Sequence, residues 1–550
     1  MFNNDIFDRN IIALSEKNPE LSSRLRKADT QPALYKFLES KRGDIIPAWL
    51  SPNETVQPLH SMMDPKKEAG RLLATVESES FLVLLGLGGA YYVEAALARN
   101  DIGVVFVIEY GLSGLAELLG KIDYSRFFKD ARFRIFVDAS DKELEENILD
   151  LYQPVLYGGI KVLPMRSRTG QDLNQFIMAG NAIQAAIDRV SRDYSVQAHF
   201  GKRWFSNIIR NIRRAETSNE DWPEINRAAI TAAGPSLSMQ IPDLRKKRNA
   251  LFLIATDTSL PCLLHEGLVP DVVVSIDCQQ ISYYHFMDGL PESVLLFLDL
   301  ASPPLLSGLT KNCRFFSTGH PLTRYISTVW KATPLLDTSG GNVTYAALSL
   351  AEQLGAEKIE LYGADFSYPC GVSYARGAYI YPYFEKMQNR FNPLEAQSSA
   401  FLYRTPLAKI SSSNKVWYYE TETLKFYRLK LEEKSEKMEA EIIPAAGGGA
   451  LLNLRQKLHQ GKTRKDHSND KAAMKAEKFL EFYRDEIKRL PKPEKNAAEY
   501  LASLREKERI IFSTIIPLAA AIKKSGDFSC FTELLEEAKA YSISQIKASL

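Results

Sequence analysis

Between residues 228 and 365, apolar runs alternate with helix-length spacers, and every run ends on an acid or a glycine turn. Ala228–Ala233 leads into Gly234-Pro235-Ser236-Leu237. Ala250–Thr256 stops at Asp257, Asp271–Ile276 at Asp277, and Val294–Leu298 at Asp299. Glu357–Tyr362 stops at Gly363-Ala364-Asp365, fed by an amphipathic helix pattern from Asn342 to Gly355. Continuous apolar strands separated by helices predict a parallel sheet covered on both faces. Ligands of such sheets bind beyond the carboxyl ends of the strands. The Gly234–Ser236 turn, Asp257, Asp277 and Asp365 are therefore expected to converge on one crevice.

The chain has 550 residues, which at about 150 per domain predicts roughly three or four domains. Composition changes twice along it. Residues 1–200 predict a smaller α/β domain, 201–224 a linker helix, 225–410 a Rossmann-like domain, and 411–550 an all-helical C-terminal domain. In the last part, Lys425–Ile442 and Ala472–Leu490 predict helices, Gly447–Gly449 and Pro491–Pro493 punctuate, and residues 459–470 predict a polar loop. The first part holds its own strand, glycine turn and helix in Phe81–Leu97, then a strand Gly103–Ile108 that ends at Glu109. That order fits a dinucleotide fold with Glu109 on a ribose, but Tyr91 replaces the third glycine. The plainer reading, a βαβ turn that binds nothing, is the favoured one.

The balance of 69 Lys+Arg against 67 Asp+Glu excludes a protein built to coat nucleic acid. Five scattered cysteines, Cys262, Cys278, Cys313, Cys370 and Cys530, show no CxxC spacing and predict reduced thiols in a cytoplasmic protein. No zinc pattern is present, so no structural metal is expected. The N-terminus lacks a signal pattern, and no apolar run reaches the roughly 20 residues of a membrane span.

Two glycine turns carry the binding chemistry. Gly234 permits close backbone approach, Pro235 stiffens the turn, and Ser236 can donate or cap. Thr338-Ser339-Gly340-Gly341-Asn342 opens a helix, where small residues and free N–H groups favour an anion such as phosphate. The long segment Gly363–Tyr379 adds Tyr368, Tyr374, Arg376 and Tyr379, which suit a phosphate diester. His265, His285 and His320 share this region, and His320 is placed to reach the crevice. There is no GxxxxGK[ST], which argues against a P-loop kinase. The strand-end acids could instead hold Mg²⁺ with a diphosphate.

The ordered set Gly234-Pro235-Ser236-Leu237, Asp257, Ser275-Ile276-Asp277, Thr338–Asn342 and Gly363-Ala364-Asp365-Phe366 resembles the central domain of the motility accessory factor (Maf) family, proposed flagellin glycosyltransferases. It is similar to a hydroxymethylpterin diphosphokinase family and, more remotely, to bacterial sialyltransferases that use CMP-sialic acid. Trp204–Arg214 resembles the helix that precedes the Maf central domain. The resemblance implies a CMP-activated nonulosonic acid (sialic, pseudaminic or legionaminic type) in the crevice. Gly234–Ser236 and Ser339–Gly341 would hold the nucleotide, Tyr374 would steady the departing phosphate, and a flagellin Ser or Thr would attack with inversion. The sialyltransferase histidine follows the strand-end Gly-x-Asp-Phe; here no histidine occurs between His320 and His459, so Asp277 and His320 stand as candidate bases. The alternatives are a Mg²⁺-dependent diphosphokinase acting on a pterin-like alcohol and a non-catalytic flagellin-binding module. Neither nucleic acid nor membrane is an expected partner.

Overall fold

The computed structural model describes residues 3–50, 55–77, 80–218, 222–411, 417–447, 449–454, 472–493, 497–526 and 531–550. Cys530, His459 and the polar loop at 459–470 lie outside the described residues. The chain forms two compact units. One comprises Met1–Gly201, Arg489–Phe512 and Ile516–Ala540; the other Lys202–Lys488, Ser513–Ile515 and Tyr541–Leu550.

The first unit holds an antiparallel sheet, β1 (Tyr35–Glu39), β2 (Ile45–Leu50) and β3 (Val56–Pro58), which the sequence reading did not anticipate. Beside it in the chain come four parallel strands: β4 (Ser80–Leu85), β5 (Ile102–Glu109), β6 (Phe133–Val137) and β7 (Ile160–Pro164), ordered β6-β5-β4-β7. All eight residues of β5 are buried, the signature of a strand covered on both faces.

The second unit carries the expected sheet. Its strands are β8 (Arg227–Thr231), β9 (Phe252–Thr256), β10 (Val272–Ser275), β11 (Leu295–Asp299), β12 (Cys313–Phe316) and β13 (Lys358–Tyr362), followed by the short β14 (Tyr368–Pro369), β15 (Ala408–Ser411) and β16 (Trp417–Glu420), and then β17 (Glu441–Pro444). The large sheet is wholly parallel in the order β12-β11-β10-β9-β8-β13-β17. Helix Val343–Gln353 covers one face, burying Ala346, Ala347, Leu350 and Ala351 in one cluster with Ile230, Ile254, Val274 and Ile359. At about 25 cal/mol per Å² of apolar surface, these side chains supply the main drive for the layer.

Three boundaries differ from the sequence reading. The linker expected at 201–224 is the end of a 45-residue helix, Leu173–Thr217. Gly201 does not stop it; a Cβ there would fall 1.9 Å from the Pro517 carbonyl oxygen, so glycine serves close helix packing. The helix expected over Lys425–Ile442 spans Glu422–Lys437 and then yields to β17, because Ile442 and Ile443 pair with Ile359 and Glu360. The C-terminal helical region begins at Ala476 and not at 411, since β16 and β17 precede it, and its residues are divided between the two units. In the second unit Trp330 stacks on Phe479 at 5.5 Å and its indole N–H donates to the Met474 carbonyl at 2.8 Å. In the first, Lys523 Nζ donates to the Val155 carbonyl at 3.2 Å. Among the described residues no helix is long and apolar enough to cross a membrane.

Candidate functional site

Strand order reverses between β8 and β13, so the crevice at their carboxyl ends is the topological switch point of the second unit. The two predicted turns meet there. Gly234 N–H donates to the Gly363 carbonyl at 2.9 Å, and Ser236 N–H donates to Asp365 Oδ2 at 2.8 Å. A Cβ on Gly234 would lie 2.4 Å from the Gly363 oxygen and 2.5 Å from Asp365 Oδ2. Gly363, at φ +65, would place one 2.2 Å from the Ala232 oxygen. Only glycine permits this approach. Asp365 is buried, which pushes its carboxyl upward against the Ser236 hydrogen bonds. It acts as an internal tie rather than a group facing a ligand.

The segment after β17 closes on the same turns. Gln240 Nε2 donates to the Ala446 carbonyl at 2.9 Å, Ala450 N–H donates to the Asp365 carbonyl at 2.9 Å, and a Cβ on Gly447 would meet Ser236 Cβ at 2.8 Å. Gly447 and Gly449, read from sequence as punctuation, thus help build the switch point; Gly448 lies outside the described residues. A cleft of about 840 Å³ opens beside the turn, lined by Pro235, Ser236, His265, Tyr374, Arg376 and Tyr381 among others. Ser236 Oγ is buried beside the Asp365 carboxylate, and Arg376 is exposed.

The strand-end acids take separate roles. Asp257 is buried and fully engaged: Oδ2 accepts from Ser275 Oγ at 2.6 Å, and Oδ1 from Thr258 N–H at 2.7 Å. Asp277 is raised above the usual carboxylate range by burial and by the Asp257 charge, against Gln279 N–H, which donates at 2.9 Å, and the nearby His285. Among the described residues no three of His, Cys, Asp and Glu converge as a metal cluster. Two buried asparagines of the long helix fix the loops behind these acids. Asn207 donates to the Cys278 and Ala301 carbonyls at 3.0 and 2.8 Å, and Asn211 to those of Leu300 and Ser302 at 2.9 and 2.8 Å. Carbonyls that a sheet cannot pair are thereby satisfied.

Asp299, buried at the end of β11, is pushed up to about 7 by burial, opposed by hydrogen bonds from Ala301 N–H at 3.1 Å and from Thr318. Its folded carboxyl binds a proton that the unfolded chain releases near pH 4, so its stabilising contribution is full at low pH and lost as pH rises through about 7. Asp299→Asn keeps the hydrogen-bond acceptor and removes the titration. Its thermal midpoint should therefore gain several degrees on wild type between about pH 4.5 and about pH 8. Parallel midpoint curves would contradict the assignment.

Beyond β13 the segment from Gly363 brings an aromatic group over the acids. Tyr379 meets the His285 ring edge-on at 4.5 Å and Tyr374 at 6.3 Å. Burial raises the Tyr374 and Tyr379 hydroxyls, the neighbouring Asp257 charge raises them further, and Arg404 opposes both. Arg404 also hydrogen-bonds the Tyr368 hydroxyl and stacks 3.8 Å over Phe401. His285 Nδ1 is buried with no hydrogen-bond partner. His285, named in the sequence reading without a role, and Arg404, which that reading missed, join the site here. His285 lies ten residues beyond β10 in a 3-10 turn, and only the fold brings it to Asp277.

The Thr338–Asn342 turn is placed differently from the expectation. Asn342 caps its helix, accepting from Tyr345 N–H at 3.0 Å, and Gly341 adopts φ +73. Thr338 and Ser339 line a separate cleft of about 400 Å³ with Asp337 and Lys434. Burial pushes Asp337 up, but Ser339 N–H and the Tyr345 hydroxyl hold it down at about 2. Gly340 makes room for the Tyr345 ring, 2.1 Å from where its Cβ would stand. Gly341 approaches Tyr427, whose hydroxyl feels the Asp277 charge. The turn thus borders the acid cluster without joining the larger cleft. His320 caps helix Pro321–Val329, its Nδ1 accepting from Leu322 N–H at 3.2 Å, and packs on Trp204 at 5.4 Å. Burial lowers it to about 4, so it stands as a neutral structural imidazole.

Comparisons with known proteins bear on this unit and on the whole chain. A family model described as 6-hydroxymethylpterin diphosphokinase MptE-like matches residues 202–371. Two uncharacterized proteins of Treponema pallidum (strain Nichols) are similar. One is 30% identical over 166 residues, 30% of this chain and 79% of the relative. The other is 34% identical over 155 residues, 27% of this chain and 54% of the relative, so the chain spans about half of that protein. The solved structure of a MAf glycosyltransferase from Magnetospirillum magneticum AMB-1 superimposes with TM-score 0.61 at 13% identity, covering 100% of this chain and 95% of that one. The two share a fold.

Proposed function

We infer a function from one premise: this chain belongs to the family of the first Treponema protein, and its MptE-like domain sits in a fold shared with a Maf glycosyltransferase. We propose that it is an inverting O-glycosyltransferase that moves a nonulosonic acid from a CMP-sugar to Ser or Thr of flagellin in the cytoplasm. The observation that carries this reading is the switch-point cleft, where Ser236 and an exposed Arg376 face about 840 Å³ of space beside Tyr374. Hydrogen-bond donors at a sheet's carboxyl edge suit a phosphate diester, and Glu266 and Glu385 share the lining. The acceptor hydroxyl would attack the anomeric carbon while the bond to the CMP phosphate oxygen breaks. CMP leaves with the electron pair, and the hydroxyl proton passes to a base. His285, close enough to Asp277 for their charges to interact, takes that role in preference to His320, whose Nδ1 is committed to a helix cap. Tyr374, Tyr379 and Arg404 would stabilise the departing phosphate.

The MptE-like match favours a second reading, a Mg²⁺-dependent diphosphokinase. Asp257 and Asp277 would then hold the cation, although both oxygens of Asp257 are engaged by Ser275 and Thr258. Thermal unfolding of the full chain with CMP, CTP, AMP and ATP, with and without Mg²⁺, separates the two. CMP is expected to raise the midpoint by a few degrees, and Tyr374→Phe to halve that rise. Stabilisation by ATP with Mg²⁺ alone, weakened by Asp257→Asn, would replace the glycosyltransferase with the kinase.

A further inference from the structure

The first unit has a switch point of its own. In the order β6-β5-β4-β7, all parallel, the order of the strands reverses between β4 and β7. Beyond their carboxyl ends a cleft of about 750 Å³ is lined by Tyr92, two residues into the turn-following helix, and by Arg166, two residues past β7. Its third wall is helix Pro65–Leu73 with its cap, which presents Asp64, Lys67, Glu68 and Arg71 at helical spacing. Four cations and two acids face this space. The acids are already occupied. Asp64 pairs with Arg42 at 3.2 Å and accepts from Lys67 N–H at 2.8 Å. Glu68 accepts from Ser61 N–H at 2.8 Å and from the Tyr92 hydroxyl at 3.3 Å. Lys67, Arg71 and Arg166 are left exposed with no carboxylate partner among the described residues.

The turn that closes β4 is strained and pinned to this wall. Ala90, a non-glycine residue, holds φ +59. His60 Nε2 accepts from Gly89 N–H at 2.9 Å, so its proton is on Nδ1, a buried atom with no hydrogen-bond partner that lies 3.9 Å from Glu68 Oε2. Three unpaired cations at a parallel sheet's switch point, on a braced turn, have the chemistry of a phosphate cradle.

We propose that this cleft is a second ligand site, separate from the transferase cleft, that takes a phosphorylated small molecule through Lys67, Arg71 and Arg166. It does not depend on the glycosyltransferase reading. The test is calorimetric titration of the full chain with inorganic pyrophosphate and with ribose 5-phosphate. The proposal expects one binding event that weakens about tenfold or more in Lys67→Gln/Arg71→Gln/Arg166→Gln and changes less than about twofold in Arg376→Gln. Tighter binding of ribose 5-phosphate assigns a sugar phosphate; tighter binding of pyrophosphate assigns an oligophosphate. Absence of binding of both probes at millimolar concentration overturns the proposal, as does a loss confined to Arg376→Gln. Should the triple variant misfold, Arg71→Gln alone must still weaken binding.

Discussion

Arg168→Ala should cost the fold about 3–5 kcal/mol, read as a lower denaturant midpoint at unchanged slope. Arg168 is 1% exposed, beyond β7. Its guanidinium hydrogen-bonds Glu109, accompanies Asp172 at 2.6 Å and reaches the Tyr110 carbonyl at 3.3 Å. Glu109 is equally buried, and its second oxygen accepts from Leu87 N–H in the glycine turn at 2.7 Å. Deleting the cation leaves two carboxylates in a dry site with no counter-charge. Combining Arg168→Met with Glu109→Gln should recover part of the loss, because the uncompensated charge goes with it. A loss under about 1 kcal/mol in the single variant would mean that water or a neighbouring cation replaces the guanidinium.

The same contact explains a failure of sequence reading. Strand, glycine turn, helix, strand and acid were all visible around Phe81–Glu109, but the carboxylate of Glu109 is spent on Arg168, 59 residues further on, and on the turn itself. Local order reveals a βαβ unit without saying what its acid holds. In the second unit the sheet was readable because strands buried on both faces leave continuous apolar runs, and their ends fall within a residue or two of the predicted ones. Strand β17 was not, since four residues in a Lys/Glu-rich stretch become a strand only by pairing with β13. The Gly234 and Gly363 turns were readable because close backbone approach demands glycine at fixed positions. His285 and Arg404 carry no such local mark. One histidine and one arginine acquire a role only when separate loops meet over Asp257 and Asp277.

That meeting sets the second large effect. His285→Ala is expected to lower kcat about 10²–10⁴-fold with KM nearly unchanged, because a base acts on the acceptor proton in the transition state and adds little to donor binding. Thermal midpoints should stay within a few degrees, since His285 Nδ1 makes no hydrogen bond in the fold. Asp277→Asn should cost less, since the nearby carboxyl interacts with the imidazole only through its charge and does not itself touch the acceptor. If the two act as one unit, Asp277→Asn placed on the His285→Ala background should cost almost nothing more. Additive losses would separate Asp277 from His285 and return it to the position of an independent base. Retention of kcat within about threefold in His285→Ala would remove the histidine from the reaction and leave Asp277, its carboxyl raised by burial and by the Asp257 charge, as the group to titrate.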